Sequence, residues 1–218
     1  MPKRKGFLLF AAVVIAAAVP VVAQMGMRPP TVRGVWNPTV GAGSMYEQVE
    51  QDGTKRPFSV SIISKEDVNG VPGYWVEMGI TRDTGEMYMQ ELMVVNGSDA
   101  HIEKVIVMIP GRGPIEMPGA GMGPGQNIPP KPDLRNESEK IGTESITTPA
   151  GTFDCEHWKS KDGTYDAWVS SKVIPWGIVK GSGTHGTLTL VKTISDAKSH
   201  ITGTPQKFDP STFGRRGN

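Results

Sequence analysis

Apolar and polar residues alternate along most of this chain with a period of two. In "FSVSII", Phe58, Val60 and Ile62 fall on one side of an extended segment, with Ser59 and Ser61 on the other. In "YWVEMGITR", Tyr74, Val76, Met78 and Ile80 oppose Glu77, Gly79 and Thr81. "TLTLVKTI" repeats the pattern with Leu188, Leu190 and Ile194. Side chains on a strand point alternately to its two faces, so each run predicts a strand with one buried face. Tight-turn dipeptides separate the runs: Asp52-Gly53, Asn69-Gly70, Asn96-Gly97 and Asp162-Gly163. Asn, Asp and Gly tolerate the positive φ that two-residue hairpins need.

Two neighbouring runs depart from this alternation. Around Asn96-Gly97, "EMYMQELMVV" puts Met87, Met89, Met93 and Val95 on one side and Tyr88, Leu92 and Val94 on the other, and "HIEKVIVMI" is apolar in the same way. Strands apolar on both faces are usually covered on both, so this hairpin is expected at the sheet centre. In residues 110–132, thirteen of the 23 are Gly or Pro. That excludes a helix or a central strand, and so long a loop in a compact domain is usually functional or disordered. Residues 133–140 suit one helical turn or two, and strands resume from Ile141 to about Ile194. Amphipathic helix patterns are scarce. The expected fold is all-β: a single curved antiparallel sheet or half-barrel of seven to ten strands, mostly hairpin-connected, with a long Gly/Pro-rich loop. A sheet that large must curl, close or cover its apolar face.

The N-terminus carries a different pattern. Lys3-Arg4-Lys5 precedes an apolar run from Gly6 to Val19, Pro20 breaks it, and "VVA" ends at Ala23. A basic start, an apolar centre and small residues at the −3 and −1 positions read as a secretory signal peptide over 1–23. An uncleaved anchor is the alternative, since Gly6 to Ala23 is 18 residues, at the short edge of what spans a bilayer. The predicted organisation is a signal at 1–23, an extended lead-in at 24–43 with one short strand near Trp36, a single β domain at 44–208 and a disordered tail at 209–218. Export to the periplasm or beyond follows, with no transmembrane span once the signal is removed.

Charge and cysteine content narrow the function classes. Without the three basic residues of the signal, 20 basic residues face 22 acidic ones. That balance gives no electrostatic footprint for nucleic acid and no basic block for a membrane surface. The single cysteine, Cys155, cannot form an internal disulfide. In "GTFDCEHW", Phe153, Cys155 and His157 share a strand face, which places Cys155 and His157 about 6.6–7 Å apart. A nucleophile and its base must approach within about 3 Å, so core packing of Cys155 is the favoured reading. "GSGTHG" at 181–186 matches G-x-G-x-x-G, but a strand rather than a helix follows it, which points to a hairpin loop and not a dinucleotide site. No cofactor is implied.

Methionine is more suggestive. Met87-x-Met89 and Met25-x-Met27 have the spacing of thioether pairs that favour Cu(I), yet Met also fills irregular core gaps and lines adaptable apolar surfaces. Met78, Met87, Met89, Met93 and Met108 are the candidate lining of an apolar ligand surface. A metal role for Met87, Met89, Cys155 and His157 is the weaker alternative.

One stretch supports a resemblance. "GTESITTPAGTFDCEHW" leads to "DAWVSSKVIPWGIVK" and then "GTLTLVK". This order resembles exported bacterial β-rich proteins of the AGTF…WVS…PxGIVK type. Those are similar to the half-barrel superfold of the LolA and LolB lipoprotein carriers. The resemblance spans about residues 142–192 and brings no catalytic residues. It implies a curved antiparallel sheet around an apolar cavity. The expected function is therefore a non-catalytic, exported envelope protein that binds lipid, a lipidated protein or another apolar ligand on its concave sheet face. The alternatives are a structural or protein-interaction β module with a solid core and an envelope protein as partner, and a copper-handling protein.

Overall fold

The computed structural model describes residues 34–209 except 83–84, 97–98, 109, 118–133 and 185. The predicted signal, half of the predicted lead-in, most of the Gly/Pro-rich loop, Gly97 of the predicted turn and the predicted tail beyond residue 209 lie outside the described residues. The strands, in chain order, are β1 (Gly43–Val49), β2 (Lys55–Val68), β3 (Val71–Arg82), β4 (Gly85–Asn96), β5 (Asp99–Met108), β6 (Ile115–Met117), β7 (Ser138–Thr148), β8 (Gly151–Ser160), β9 (Tyr165–Val169), β10 (Ile178–Gly183), β11 (Gly186–Ile194) and β12 (Gln206–Lys207). A single 3-10 turn at Leu134–Asn136 precedes β7.

All twelve strands join one open, curved sheet in the order β12-β6-β5-β4-β3-β2-β1-β11-β10-β9-β8-β7. Every pairing is antiparallel except β12 on β6, which is parallel. The sheet does not close into a barrel. Sequence patterning expected fewer strands, and the difference includes two very short ones. β6 forms inside the Gly/Pro-rich stretch and β12 adds only Gln206 and Lys207.

Hairpins form where the turn chemistry predicts them. At Asn69 and Gly70 both residues take positive φ, 55° and 84°. Two such residues in succession give the turn whose twist matches the strands it joins. Gly53 and Gly163 are also left-handed, at 84° and 71°. The "GSGTHG" glycines end β10 and begin β11, with Gly183 paired to Gly186 across the hairpin. A strand follows them, as the pattern required.

The β4–β5 hairpin is not central. Only two strands, β6 and β12, lie between it and one end of the sheet, and the middle pair is β2–β1. Its two apolar faces have another cause. The segment 195–205 crosses the outer face of β3 and β4: Ser199 Oγ lies 2.6 Å from Gln90 Nε2, and the His200 ring stacks on Tyr88 with centroids 4.4 Å apart. A strap of chain, rather than a central position, covers that side.

The main core is built from β1–β4 and β8–β11, with Tyr46, Val60, Ile62, Ile178 and Leu190 fully buried. Trp36 and Trp176 seal it, 5.8 Å apart between ring centroids, and Trp36 also meets Tyr74 edge-on at 5.9 Å. The lead-in reaches this position because Val35 N and Asn37 N donate to the carbonyls of Trp176 and Pro175. The open edge at β7 is blunted by charge and by a bulge that leaves Ile141 unpaired and 54% exposed between Lys140 and Gly142. Both devices discourage a second strand from adding to an edge.

Candidate ligand-binding face

The methionines gather on the inner face of one side of the sheet. Register sets this arrangement. Met78 pairs with Met89 and Ile80 with Met87 across β3–β4. Met89 pairs with Val107 across β4–β5. Val105 pairs with Met117, and Val107 with Ile115, across β5–β6. Period-two alternation sends all of these side chains to the same face. Met78, Met87, Met89, Val105, Val107 and Met117 form a second buried cluster, separate from the main core. Phe208, just past β12, packs against it from the C-terminal segment. Its backbone N donates to the Glu116 carbonyl, and Gln206 N to that of Pro114, which ties this segment to β6.

Of the five methionines singled out from sequence, Met78, Met87 and Met89 come together here. Met93 lies in the same inward row of β4 but belongs to the main core, where Tyr74 is its partner on β3. Met108 does not join them. It follows Val107 directly and pairs with Tyr88, so alternation carries it to the outer face. Met117 was missed because it lies in a stretch read as loop. The short alternation Ile115-x-Met117 was the available signal.

Glu91 was missed as well. It occupies an inward position of β4, paired with Val76 on β3 and Val105 on β5. Val76 belongs to the main core and Val105 to the methionine cluster, so Glu91 stands where the two apolar groups meet. Burial pushes its carboxyl up to about 7. Among the described residues it has no hydrogen-bond or salt-bridge partner.

Glu77, on the outer face of β3, shows the contrast. It is 4% exposed yet accepts hydrogen bonds from Gln90 Nε2 at 2.8 Å, from Ser199 Oγ at 3.3 Å and from the His200 backbone N, and it meets His200 Nδ1 at 2.7 Å. This network fastens the strap. A buried carboxylate so surrounded by donors is satisfied.

Cys155 and His157 do not form a reacting pair. The Cys155 thiol is buried in the main core, 3.5 Å from the Phe153 carbonyl. Burial, aided by Asp154 and Glu144, raises it to about 11. A thiol held protonated is a poor nucleophile and metal ligand. The His157 ring is engaged elsewhere: Nε2 lies 3.0 Å from Asp166 and Nδ1 3.2 Å from Glu144. It also stacks on Trp168 with centroids 4.3 Å apart, and Lys180 Nζ sits 4.9 Å from the same indole centroid. These contacts tie β7, β8, β9 and β10 together across one face. Met87 and Met89 share no cluster with Cys155 or His157. Among the described residues, no group of three or more His, Cys, Asp or Glu is placed to hold a metal ion.

Fold and site together define an open, curved, almost wholly antiparallel β-sheet protein with an apolar inner face. No protein-family model and no curated protein sequence matches the chain. Similar solved structures include two of exported-type proteins. One is a lipoprotein candidate from Parabacteroides distasonis ATCC 8503, 17% identical, covering 74% of this chain and 99% of its own, with a TM-score of 0.36. The other is an exported-protein candidate with a YmcC-like fold from Bacteroides fragilis NCTC 9343, 13% identical, with the same coverage and TM-score. Among the described residues, no helix is long and apolar enough to cross a membrane.

Proposed function

We propose that this protein is an exported, non-catalytic envelope protein that binds an apolar ligand on the inner face of β3–β6. The observation that carries this reading is the convergence of Met78, Met87, Met89 and Met117 from two long strands, β3 and β4, and the short β6. Methionine side chains are flexible and polarisable, and surfaces built from them accommodate ligands of varied shape. Burial at roughly 25 cal/mol per Å² of apolar area would supply affinity without fixed polar groups. The cover on this face is also light. Among the described residues, Phe208 and a two-residue parallel strand hold it, whereas Trp36, Trp176 and Leu134 close the main core. Segments with few buried contacts open at low free-energy cost. The signal-like N-terminus and the carrier-like pattern over residues 142–192 support the same reading.

A second reading is a solid β module that acts through protein partners. It is favoured by the burial of Met78, Met87 and Met89, each 8% exposed or less.

Native mass spectrometry with lipid extraction, on mature protein purified from its own compartment, separates the two. A bound amphiphile near one per chain is expected for the ligand-binding protein. A bare chain mass, together with no uptake of a fluorescent apolar probe, would overturn that reading in favour of the module.

A further inference from the structure

Resting on the ligand-binding reading, the structure assigns Glu91 as the head-group contact of the inner-face site, and we propose that the ligand is a single-chain amphiphile with a cationic amine head. Three observations lead there. First, Glu91 interrupts an otherwise apolar surface. The inward residues around it are Val76 on β3, Met89 and Met93 on β4, and Val105 and Ile102 on β5. Among the described side chains, the other charged residues of these strands lie elsewhere. Glu77 and Lys104 belong to the outer face, and His101 and Glu103 pair with each other at 3.7 Å at an exposed end of β5.

Second, nothing among the described residues compensates the carboxyl. Even partial burial of a charge without a partner is costly, and this chain surrounds its deeply buried carboxyl, Glu77, with donors from three residues. An uncompensated carboxyl in the same sheet is complementary to a group that arrives from outside. A cation serves better than a hydroxyl, because an opposite charge within a few ångströms favours the ionised acid. Burial holds Glu91 near the point where it is partly ionised at neutral pH, so an incoming ammonium would complete its ionisation.

Third, the spacing suits an amphiphile. Four residues separate Glu91 from Met87 along β4, about 13 Å of strand. A head placed at Glu91 leaves its tail over Met89, Met87 and Met78, where Phe208 now packs. The tail would take the place of that side chain.

The test uses the full mature protein and three probes with one tail: dodecylamine, 1-dodecanol and dodecanoate, each below its micelle concentration, by calorimetry at pH 8. Dodecylamine is expected to bind at least tenfold more tightly than dodecanol, with dodecanoate weakest. In Glu91→Gln the amine should fall to the dodecanol affinity while dodecanol itself is unchanged. Should Glu91→Gln fail to fold, Glu91→Met gives the same readout within the methionine row. Equal binding of amine and alcohol by the native protein would overturn the role of Glu91 and leave the apolar site standing. So would an amine preference that survives in the variant, or a preference for dodecanoate. Failure of all three probes to bind would overturn both this inference and the function it rests on.

Discussion

Replacing Glu91 by leucine should stabilise the protein, and by an amount that depends on pH. In the folded chain burial lifts the carboxyl from 4.5 to about 7. An acid whose folded value is raised keeps its proton where the unfolded chain has lost it. Its effect on stability is therefore nil well below pH 4.5, grows more unfavourable as pH rises to about 7, and is constant above that. The difference of about 2.5 pH units, at roughly 1.36 kcal/mol per unit, gives an upper value of about 3.4 kcal/mol. Glu91 keeps some solvent exposure, and allowing for screening reduces this to about 2–3 kcal/mol.

The assay is urea unfolding of native protein and Glu91→Leu at pH 4, 6 and 8, followed by the fluorescence of the five tryptophans. Other groups titrate over this range in both proteins, so the informative quantity is the gap between the two unfolding free energies. It should widen by about 2–3 kcal/mol from pH 4 to pH 8 in favour of the variant, with equal denaturant slopes showing that both unfold the same structure. Val76 and Val105 flank Glu91 and cannot titrate. A gap that stays constant with pH would show that the carboxyl is not desolvated. A variant less stable at pH 8 would show that the charge is already compensated.

Three further outcomes follow from named contacts. Glu77→Ala strips the acceptor from Gln90, Ser199 and His200. It should cost about 2–4 kcal/mol and speed proteolysis within 195–205, and a strap as resistant as in the native protein would show that it is held by something else. Phe208→Ala should lower stability by about 1–2 kcal/mol while raising the binding of an environment-sensitive apolar dye, and unchanged dye binding would remove Phe208 as the cover. Cys155, with its thiol pushed up to about 11 by burial, should react with a disulfide reagent at pH 8 only as fast as the protein unfolds, and Cys155→Ala should leave apolar-probe binding intact. Labelling faster than unfolding would contradict the buried-thiol reading.

Strands and hairpins were legible in the sequence because their causes are local. Phe58, Val60 and Ile62 alternate with serines, and Asn69-Gly70 takes up its turn on chemistry contained in two residues. The β12–β6 end of the sheet was not legible. β12 pairs in parallel with β6 across about ninety residues of chain through two residues on each side, too short a pattern to stand out from loop. The strap escaped notice for a similar reason. Ser199 and His200 carry no periodicity, and their partners Glu77, Tyr88 and Gln90 lie more than a hundred residues earlier. That strap, absent from the sequence pattern, is what made β4 and β5 read as central. The methionine row was visible, and so was its interruption: Met87, Met89, Met93 and Val95 occupy alternate positions with Glu91 between them. A charged residue at an inward position breaks the local rule, and such breaks in natural sequences concentrate at functional or strained sites.

The two sides of the sheet differ in how firmly they are finished. On the β7–β11 side, aromatic rings and long-range backbone hydrogen bonds seal the core, and His157, Trp168, Glu144, Asp166 and Lys180 lace the strands together. On the β3–β6 side, the outer face is fastened with equal care through Glu77, while the inner face carries, among the described residues, flexible methionines, a carboxyl without a partner and Phe208 from the tail. Stability alone would not produce that asymmetry. Valine or leucine at Glu91 would join the two apolar groups into one core and lower the free energy of the folded state. Their separation has a cost of a few kcal/mol at neutral pH, in a class of molecule whose net stability is typically about 5–15 kcal/mol. Such a cost is intelligible if the weak face is the working one. On the proposed function, the rigid half would hold the strand register while the other half opened by displacing Phe208 and the two residues of β12.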